Sequence, residues 1–210
     1  MVSTTAEARF ISFEGVDGSG KSTQAHRCAE ALRAAGATVL ETREPGGTGL
    51  GEAVRRILLD PDPEVDVSDA AEVLLFAASR AQLVRQVVRP ALESGTWVVC
   101  DRFLDSSLAY QGVGRGVGID RVLAANAPAV DGCLPWRTFV IEVDPAEARR
   151  RRSGGDDRIE AEDGAFHERV AAGYRELAER FPERLVIVDG DGDVEAVHDR
   201  VWRSVTGGQG

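Results

Sequence analysis

Residues 9–23 read RFISFEGVDGSGKST and join a short apolar strand, a glycine-rich loop and the start of a helix. Four of them, Gly15, Gly20, Lys21 and Ser22, match the pattern G-x-x-x-x-G-K-[ST]. The glycines of this pattern let phosphate groups approach bare backbone N–H groups at a helix N-terminus, the lysine reaches the outer phosphates, and the hydroxyl binds magnesium. Lys21 is also the only lysine of the chain. The stretch therefore predicts a phosphate-binding loop of Gly15, Val16, Asp17, Gly18, Ser19, Gly20, Lys21 and Ser22.

The composition limits the classes of protein that remain. A chain of 210 residues with 43% hydrophobic content is typical of one α/β domain, here predicted to span 1–210. A formal net charge of −10 argues against nucleic acid or an anionic membrane as the main partner. The three cysteines lack metal or redox spacing, which indicates reduced thiols. Neither a signal-peptide pattern nor an apolar run of about 18 residues is visible, so we expect a cytoplasmic protein.

Short β-rich segments alternate with longer helical ones, a pattern that predicts a parallel sheet wrapped by helices. Five strands are expected, at about 9–14, 38–43, 97–101, 138–143 and 185–189. Ligands of such sheets bind beyond the carboxyl ends of the strands. The residues that follow each strand are therefore the candidates for a functional site.

The third predicted strand ends in an acid and an arginine, Asp101 and Arg102. An acid at a strand end opposite a phosphate loop is typical of the residue that orients magnesium, and the arginine beside it would neutralise phosphate charge. The next helical residues place hydroxyls and an amide on neighbouring faces, through Ser106, Ser107, Tyr110 and Gln111.

A long helical segment is predicted from Asp69, as N-cap with Glu72 three residues on, towards residue 95, with Pro90 as a possible break or restart. Phe76 and Arg80 lie four residues apart and share one face. A flat ring beside a fork of N–H donors would stack on a base and bond its edge. The alternative is a core phenylalanine and an arginine that reaches a carboxylate. The residues alone leave both possibilities open.

Further arginines could either contact a ligand or lie on a solvated surface. Either Arg55 or Arg56 would point into the cleft, or both lie on a solvated helix face. Residues 149–152 are four consecutive arginines, followed by a Ser-Gly-Gly segment. Such a run repels itself unless an anion lies among the side chains, so it predicts a mobile lid at about 149–160 that closes over phosphates. A solvated basic helix face is the alternative.

Taken together, the segments FEGVDGSGKST, TREPGGT, LLFAASRAQLV, DRFLDSSLAYQG and DRIE resemble the motifs of the thymidylate kinases in their common bacterial form, in order and over nearly the whole chain. The resemblance implies a P-loop nucleoside monophosphate kinase fold, with a five-stranded parallel sheet flanked by helices on both faces. It implies transfer of the ATP γ-phosphoryl group to dTMP, giving dTDP and ADP with Mg²⁺, in dTTP synthesis. It also implies a homodimer packed through helices.

The same resemblance assigns roles. Residues 15–22 would bind ATP, and Ser22 and Asp101 would hold magnesium. The acceptor nucleotide would contact Asp17, Arg55, Phe76, Arg80, Arg102, Ser106, Ser107, Tyr110 and Gln111. Within that set Phe76 would stack on thymine, Arg80 would bond its carbonyl edge, and Tyr110 would crowd the 2′ position of the sugar.

Catalysis would fall to Lys21, Arg102 and a lid arginine. Arg152 is the main candidate for that last role, with Arg151 and Arg158 as alternatives. Trp136 departs from the family pattern, in which an acid usually follows the preceding proline. Two other functions remain open, a kinase for a different nucleoside monophosphate and a non-enzymatic nucleotide switch, although the chain has no Asn-Lys-x-Asp guanine-reading segment.

Overall fold

The structure is a computed structural model that describes residues 9–60, 66–151 and 157–207. These residues form five strands: β1 (Phe10–Glu14), β2 (Val39–Arg43), β3 (Trp97–Asp101), β4 (Arg137–Glu142) and β5 (Leu185–Asp189). All neighbouring pairs are parallel, in the order β2-β3-β1-β4-β5. The predicted five-stranded parallel sheet is confirmed, with each strand boundary within one residue of its expected place.

The strands are connected by helices. Their bounds are α1 (Lys21–Ala34), α2 (Gly49–Leu59), α3 (Asp69–Leu83), α4 (Arg89–Glu93), α5 (Leu104–Ser107), α6 (Ile119–Val130), α7 (Pro145–Arg151), α8 (Gly164–Arg180) and α9 (Val194–Val205). Two π-helical segments, Val84–Val88 and Leu108–Gly114, continue α3 and α5 without a break. Among the described residues no helix combines the length and apolar character needed to cross a membrane.

Helices cover both faces of the sheet, as predicted. All five residues of β1 are buried, because this strand lies at the centre of the sheet. Phe10 belongs to a core shared with α3, α6 and α8, whereas Ile11 and Phe13 belong to a second core shared with α1 and α9. A parallel strand that is covered on both sides reads as a nearly continuous apolar run, which is the pattern that the sequence shows.

The predicted start of the long helix is wrong in one detail. The N-cap of α3 is Ser68, whose hydroxyl accepts from the Ala71 N–H at 3.4 Å, and Asp69 is the first helical residue. Serine offers the same short oxygen acceptor one residue earlier. Glu72 is then free of any capping role and is buried instead. Pro90 lies at a restart, as one of the two predicted possibilities, because it falls in the first turn of α4, where a missing N–H is tolerated.

Candidate active site

The predicted phosphate loop connects the carboxyl end of β1 to α1. Gly20 immediately precedes α1 and has φ of 90°, in the left-handed region that favours glycine. Gly15 has φ of 138°, and a Cβ there would lie 2.6 Å from the carbonyl oxygen of Ile141. The loop borders an open groove of about 870 Å³, which we call the loop groove. The opposite wall is the turn between β5 and α9, with Gly190 and Gly192.

Lys21 is largely buried and donates to Asp17 Oδ1 at 3.0 Å. Burial, followed by the nearby Arg102, lowers the pKa of Lys21, against the opposing effect of Asp17. Burial also opposes the charge of Asp17, yet Arg102 and Lys21 hold the pKa of that carboxyl well below its usual range. The Asp17 carboxylate thus pairs with both Lys21 and Arg102 beside the phosphate loop.

Arg102 lines a second cavity and contacts the phosphate loop. Its backbone is left-handed, with φ of 68°, which is rare for a residue with a side chain. The guanidinium donates to the Gly15 carbonyl at 3.1 Å, to Ser106 Oγ at 3.0 Å and to the Tyr110 hydroxyl at 3.2 Å, and it pairs with Asp17. One arginine therefore contacts both the phosphate loop and the α5 region.

The second cavity has a volume of about 190 Å³, and we call it the side-chain cavity because side chains make most of its wall. It brings together nearly all of the acceptor and metal residues that the sequence predicts. These are Asp17, Lys21, Ser22, Arg55, Phe76, Asp101, Arg102, Ser106, Ser107, Tyr110 and Gln111. They come from four separate stretches of the chain, 17–22, 55, 76 and 101–111, and meet only in the folded protein.

Phe76 and Arg80 separate in the structure, although they share a helix face. Phe76 is half-buried and lines the cavity. Arg80 is 1% exposed and does not line it, in contrast to the expectation that it bonds a base directly. Its guanidinium pairs with Glu44 and donates to Ser107 at 3.1 Å, and both of those residues do line the cavity. A buried charge requires such partners. The contact with Glu44 matches the alternative of an arginine that reaches a carboxylate, and a direct bond from Arg80 to a base stays a prediction.

Glu44 is a wall residue that the sequence reasoning did not single out. It is 4% exposed, and burial raises its pKa to about 7 despite the contact with Arg80. The only sequence signal was its position, an acid directly after β2 and before Pro45. Other wall residues that were missed are Arg43, Pro45, Leu59, Asp157, Ile159 and Glu160.

The described parts of the predicted lid lie on two sides of the site. Arg151, at the end of α7, lines the loop groove, and its Nη1 lies 3.5 Å from the Gly190 carbonyl oxygen. Arg158 donates to the Leu58 carbonyl at 2.8 Å and pairs with the buried Glu72, away from the loop. Arg152 falls outside the described residues. Between the two described alternatives, only Arg151 lies beside the phosphate loop.

Comparison with known proteins adds an independent finding. The family model described as thymidylate kinase matches residues 13–201. The chain belongs to the thymidylate kinase family.

Individual members of the family align over almost the whole chain. A thymidylate kinase of Exiguobacterium sp. is 47% identical over 194 residues, which cover 91% of each protein. That of Deinococcus radiodurans is 44% identical over 203 residues, with 96% of this chain and 98% of the relative covered. The crystal structure of thymidylate kinase from Ehrlichia chaffeensis superposes with a TM-score of 0.75 at 34% identity, over 94% of this chain and 98% of that one.

The residues of this family member fit a magnesium ion at the predicted position. Ser22 and Asp101 line the same cavity, beside Lys21. Asp101 Oδ1 is buried and has no hydrogen-bond partner among the described residues. A buried oxygen without a partner is costly, and carboxylate and hydroxyl oxygens are ligands that Mg²⁺ prefers.

Trp136, the departure from the family pattern, lies away from this site. Its ring is covered by two guanidinium groups, with Arg9 at 4.1 Å and Arg137 at 4.9 Å from the ring centroid. It also packs against the core that α1 and α9 share. The substitution therefore affects packing at the amino end of the sheet.

Proposed function

We propose that this chain transfers the γ-phosphoryl group of ATP to dTMP, giving dTDP and ADP, as a step of dTTP synthesis. The observation that carries the proposal is Arg102, because its guanidinium contacts the phosphate loop and lines the side-chain cavity beside it. In phosphoryl transfer the phosphoryl group passes from a nucleotide bound at the phosphate loop to an acceptor bound in a neighbouring cavity. Membership of the thymidylate kinase family supports dTMP as the acceptor.

The loop groove is the proposed ATP site. Residues 15–22 present backbone N–H groups at the N-terminus of α1, which is suited to a triphosphate. Phosphoryl transfer has a loose transition state with charge spread over the phosphoryl oxygens, so positioned cations supply most of the catalysis. Lys21 and Arg102 are two of these cations, and we assign the third role to the lid arginine Arg152, with Arg151 as the alternative.

The side-chain cavity is the proposed dTMP site. Phe76 offers a flat face for thymine, while Arg55 and Arg102 hold the acceptor phosphate. The base side of the cavity is formed by Ser106, Ser107 and Gln111. Arg80 supports this wall from behind, because it fixes Glu44 and Ser107.

The sugar of dTMP is proposed to lie between Asp17 and Tyr110. The Tyr110 hydroxyl donates to Asp17 Oδ2 at 3.1 Å, and its ring fills the space that a 2′-hydroxyl would need. Mg²⁺, held by Ser22 and Asp101, supplies charge neutralisation to the donor phosphates when it is bound.

The protein is also proposed to be a cytoplasmic homodimer. The exposed apolar side chains Leu50, Ile57 and Leu74 lie on the neighbouring helices α2 and α3 and would be covered by a second copy.

The direct test is product analysis. With ATP, Mg²⁺ and dTMP, the wild-type protein is expected to form dTDP and ADP in equal amounts, as resolved by ion-exchange chromatography. The Lys21→Ala variant serves as the inactive control. ADP without dTDP would instead indicate a hydrolysing nucleotide switch, and the absence of both products would exclude the transfer reaction.

A further inference from the structure

Glu14 is a buried carboxylate that no role above uses. It is the last residue of β1, with 0% exposure, and it lies one residue before the phosphate loop. Its Oε1 accepts from the Phe103 N–H at 2.7 Å. Its Oε2 accepts from Ser106 Oγ and from the Tyr174 hydroxyl, the latter at 3.2 Å. One side chain thus receives hydrogen bonds from the β3–α5 connection, from α5 and from α8.

When Glu14 is ionised, these hydrogen bonds have a fixed direction, because a carboxylate without a proton only accepts. The single hydroxyl proton of Ser106 points to Glu14, so its lone pairs face Arg102 Nη1 at 3.0 Å. Tyr174 is arranged in the same way, with its oxygen 3.5 Å from the same guanidinium nitrogen. Glu14 thereby turns two hydroxyls into acceptors for Arg102.

The backbone of Arg102 is held by the same carboxylate. Arg102 has φ of 68°, a conformation that costs free energy unless the surroundings enforce it. The peptide N–H that follows it is the Phe103 N–H that Glu14 accepts. On the other side, the Arg102 N–H donates to the Phe13 carbonyl at 2.9 Å. The strained residue is therefore clamped between two consecutive residues of β1.

We propose that Glu14 is a positioning residue for Arg102, whose guanidinium it orients for phosphoryl transfer through the Phe103 peptide and the Ser106 and Tyr174 hydroxyls. The inference rests on the proposed function, because it concerns the arginine assigned to the transferred group. Glu14 itself does not line either cavity and touches no proposed substrate.

The electrostatic surroundings of Glu14 agree with this assignment. Burial, followed by the Asp105 carboxylate on α5, raises the pKa of Glu14 to about 7, while Ser106, Arg102 and the Phe103 N–H act in the opposite direction. A residue that only filled space at this position would be apolar, because a buried carboxylate destabilises the fold. The ionised form, which directs the two hydroxyls at Arg102, therefore prevails only above about pH 7.

The test is a double-mutant cycle between Glu14→Gln and Arg102→Ala. Glutamine keeps the shape but presents an N–H₂ group, which would turn the Ser106 proton towards Arg102. In the wild-type background we expect kcat with dTMP to fall about 100-fold, the loss typical of a misplaced catalytic group, with the KM for ATP unchanged. In the Arg102→Ala background the same change is expected to cost less than about threefold, since its target is absent.

Asp105→Asn is the matched control. Asp105 is also a buried carboxylate, but it pairs with Arg184 and accepts from Thr138 rather than contacting Arg102. We expect Asp105→Asn to lower the thermal midpoint of the protein. We expect it to change kcat by the same factor in the wild-type and in the Arg102→Ala background.

The outcomes separate the two proposals. If the wild-type protein forms no dTDP, the proposed function fails. If it forms dTDP and Glu14→Gln retains wild-type kcat, or loses the same factor with and without Arg102, the positioning role is overturned while the function stands. If Glu14→Gln does not fold, Glu14→Asp replaces it. Aspartate keeps the charge but is one methylene too short to reach both the Phe103 N–H and the two hydroxyls. The double-mutant cycle of Glu14→Asp with Arg102→Ala then tests the positioning role.

Discussion

The two cavities at the carboxyl edge of the sheet are built on different principles. Half of the residues that line the loop groove form one contiguous stretch, residues 17–24, which faces an open space of about 870 Å³. The side-chain cavity is smaller, at about 190 Å³, and its wall comes from β1–α1, β2–α2, α3, β3–α5 and residues 157–160 at the end of the predicted lid. Phosphates require backbone donors, whereas a base and a sugar require shaped side chains.

The difference also shows in how the charges are held. At the side-chain cavity the wall residue Glu44 forms a buried pair with Arg80, and the side chains of Arg80 and Glu44 are 1% and 3% exposed. Near the loop groove, among the described residues, Arg151 pairs with Glu147, and both side chains remain about one-third exposed. We infer that the acceptor side is preorganised at the pair of Arg80 and Glu44 and that Arg151 is held less tightly on the donor side.

The largest effect is expected at the junction of the two regions. Arg102→Ala should lower kcat by a factor of about 10³ to 10⁵, as is typical when a transition-state arginine is removed from a phosphoryl-transfer site. Steady-state kinetics with dTMP measures the loss, and circular dichroism checks that the fold persists. Undiminished turnover in a folded variant would remove Arg102 from the site.

The lid provides the second comparison, between neighbouring arginines. Arg152→Ala is expected to lower kcat by about 10³-fold if it supplies the transition-state cation. Arg150→Ala is the matched control, because its side chain is 75% exposed and pairs with Glu147 on the solvent side of α7. The control should stay within about twofold of wild type. If Arg152→Ala keeps full activity and Arg151→Ala loses most of it, Arg151 rather than Arg152 supplies the transition-state cation.

The next effect is confined to the acceptor side. Phe76→Ala should raise the KM for dTMP by about tenfold, the cost of losing a base-stacking ring, and leave the KM for ATP unchanged. If only the thermal midpoint falls and both KM values hold, Phe76 is a core residue with no contact to the base.

The smallest effect concerns stability. The pKa of Glu44 is raised to about 7 by burial, so between its ordinary pKa of 4.5 and pH 7 the native state binds more protons than the unfolded state. The free energy of unfolding therefore decreases as the pH rises through this window. Glu44→Gln removes this contribution and should flatten the decrease between pH 5 and pH 7 by about 2 kcal/mol, as measured by urea denaturation.

Glu52→Gln is the control for that measurement. The Arg43 guanidinium and the Gly47 N–H lower the pKa of Glu52 to about 2, so its contribution is present above pH 4.5 and is lost only as the pH falls towards 2. Glu52→Gln should therefore leave the pH dependence of the free energy of unfolding between pH 5 and pH 7 unchanged. Identical slopes in wild type and Glu44→Gln would show that Glu44 titrates as an ordinary carboxyl.

The comparison of the two regions explains what the sequence predicts well. Gly15, Gly20, Lys21 and Ser22 are neighbours in the chain, so their pattern defines the loop groove without knowledge of the fold. Strand boundaries were equally accessible, because a sheet covered on both faces imposes long apolar runs such as FISF.

The side-chain cavity was only partly predictable. Its members were found because they follow strand ends, but their partners come from distant parts of the chain. Arg80 meets Asn126 across 46 residues, and Glu14 meets Tyr174 across 160. No local pattern reports such pairs, which is why Arg80 was expected to contact the ligand and why Glu14 and Glu44 were missed.

The central claim is that the side-chain cavity reads thymidylate while the loop groove supplies the phosphoryl group. It is tested most directly by ADP release from ATP and Mg²⁺ with dTMP, dUMP, dCMP, AMP, GMP and UMP offered one at a time. We predict the highest kcat/KM with dTMP, a lower value with dUMP, and a much lower value with UMP, whose 2′-hydroxyl meets Tyr110. A higher kcat/KM with any other monophosphate would contradict the roles given to Phe76 and Tyr110, and ADP release that is independent of every acceptor would contradict phosphoryl transfer itself.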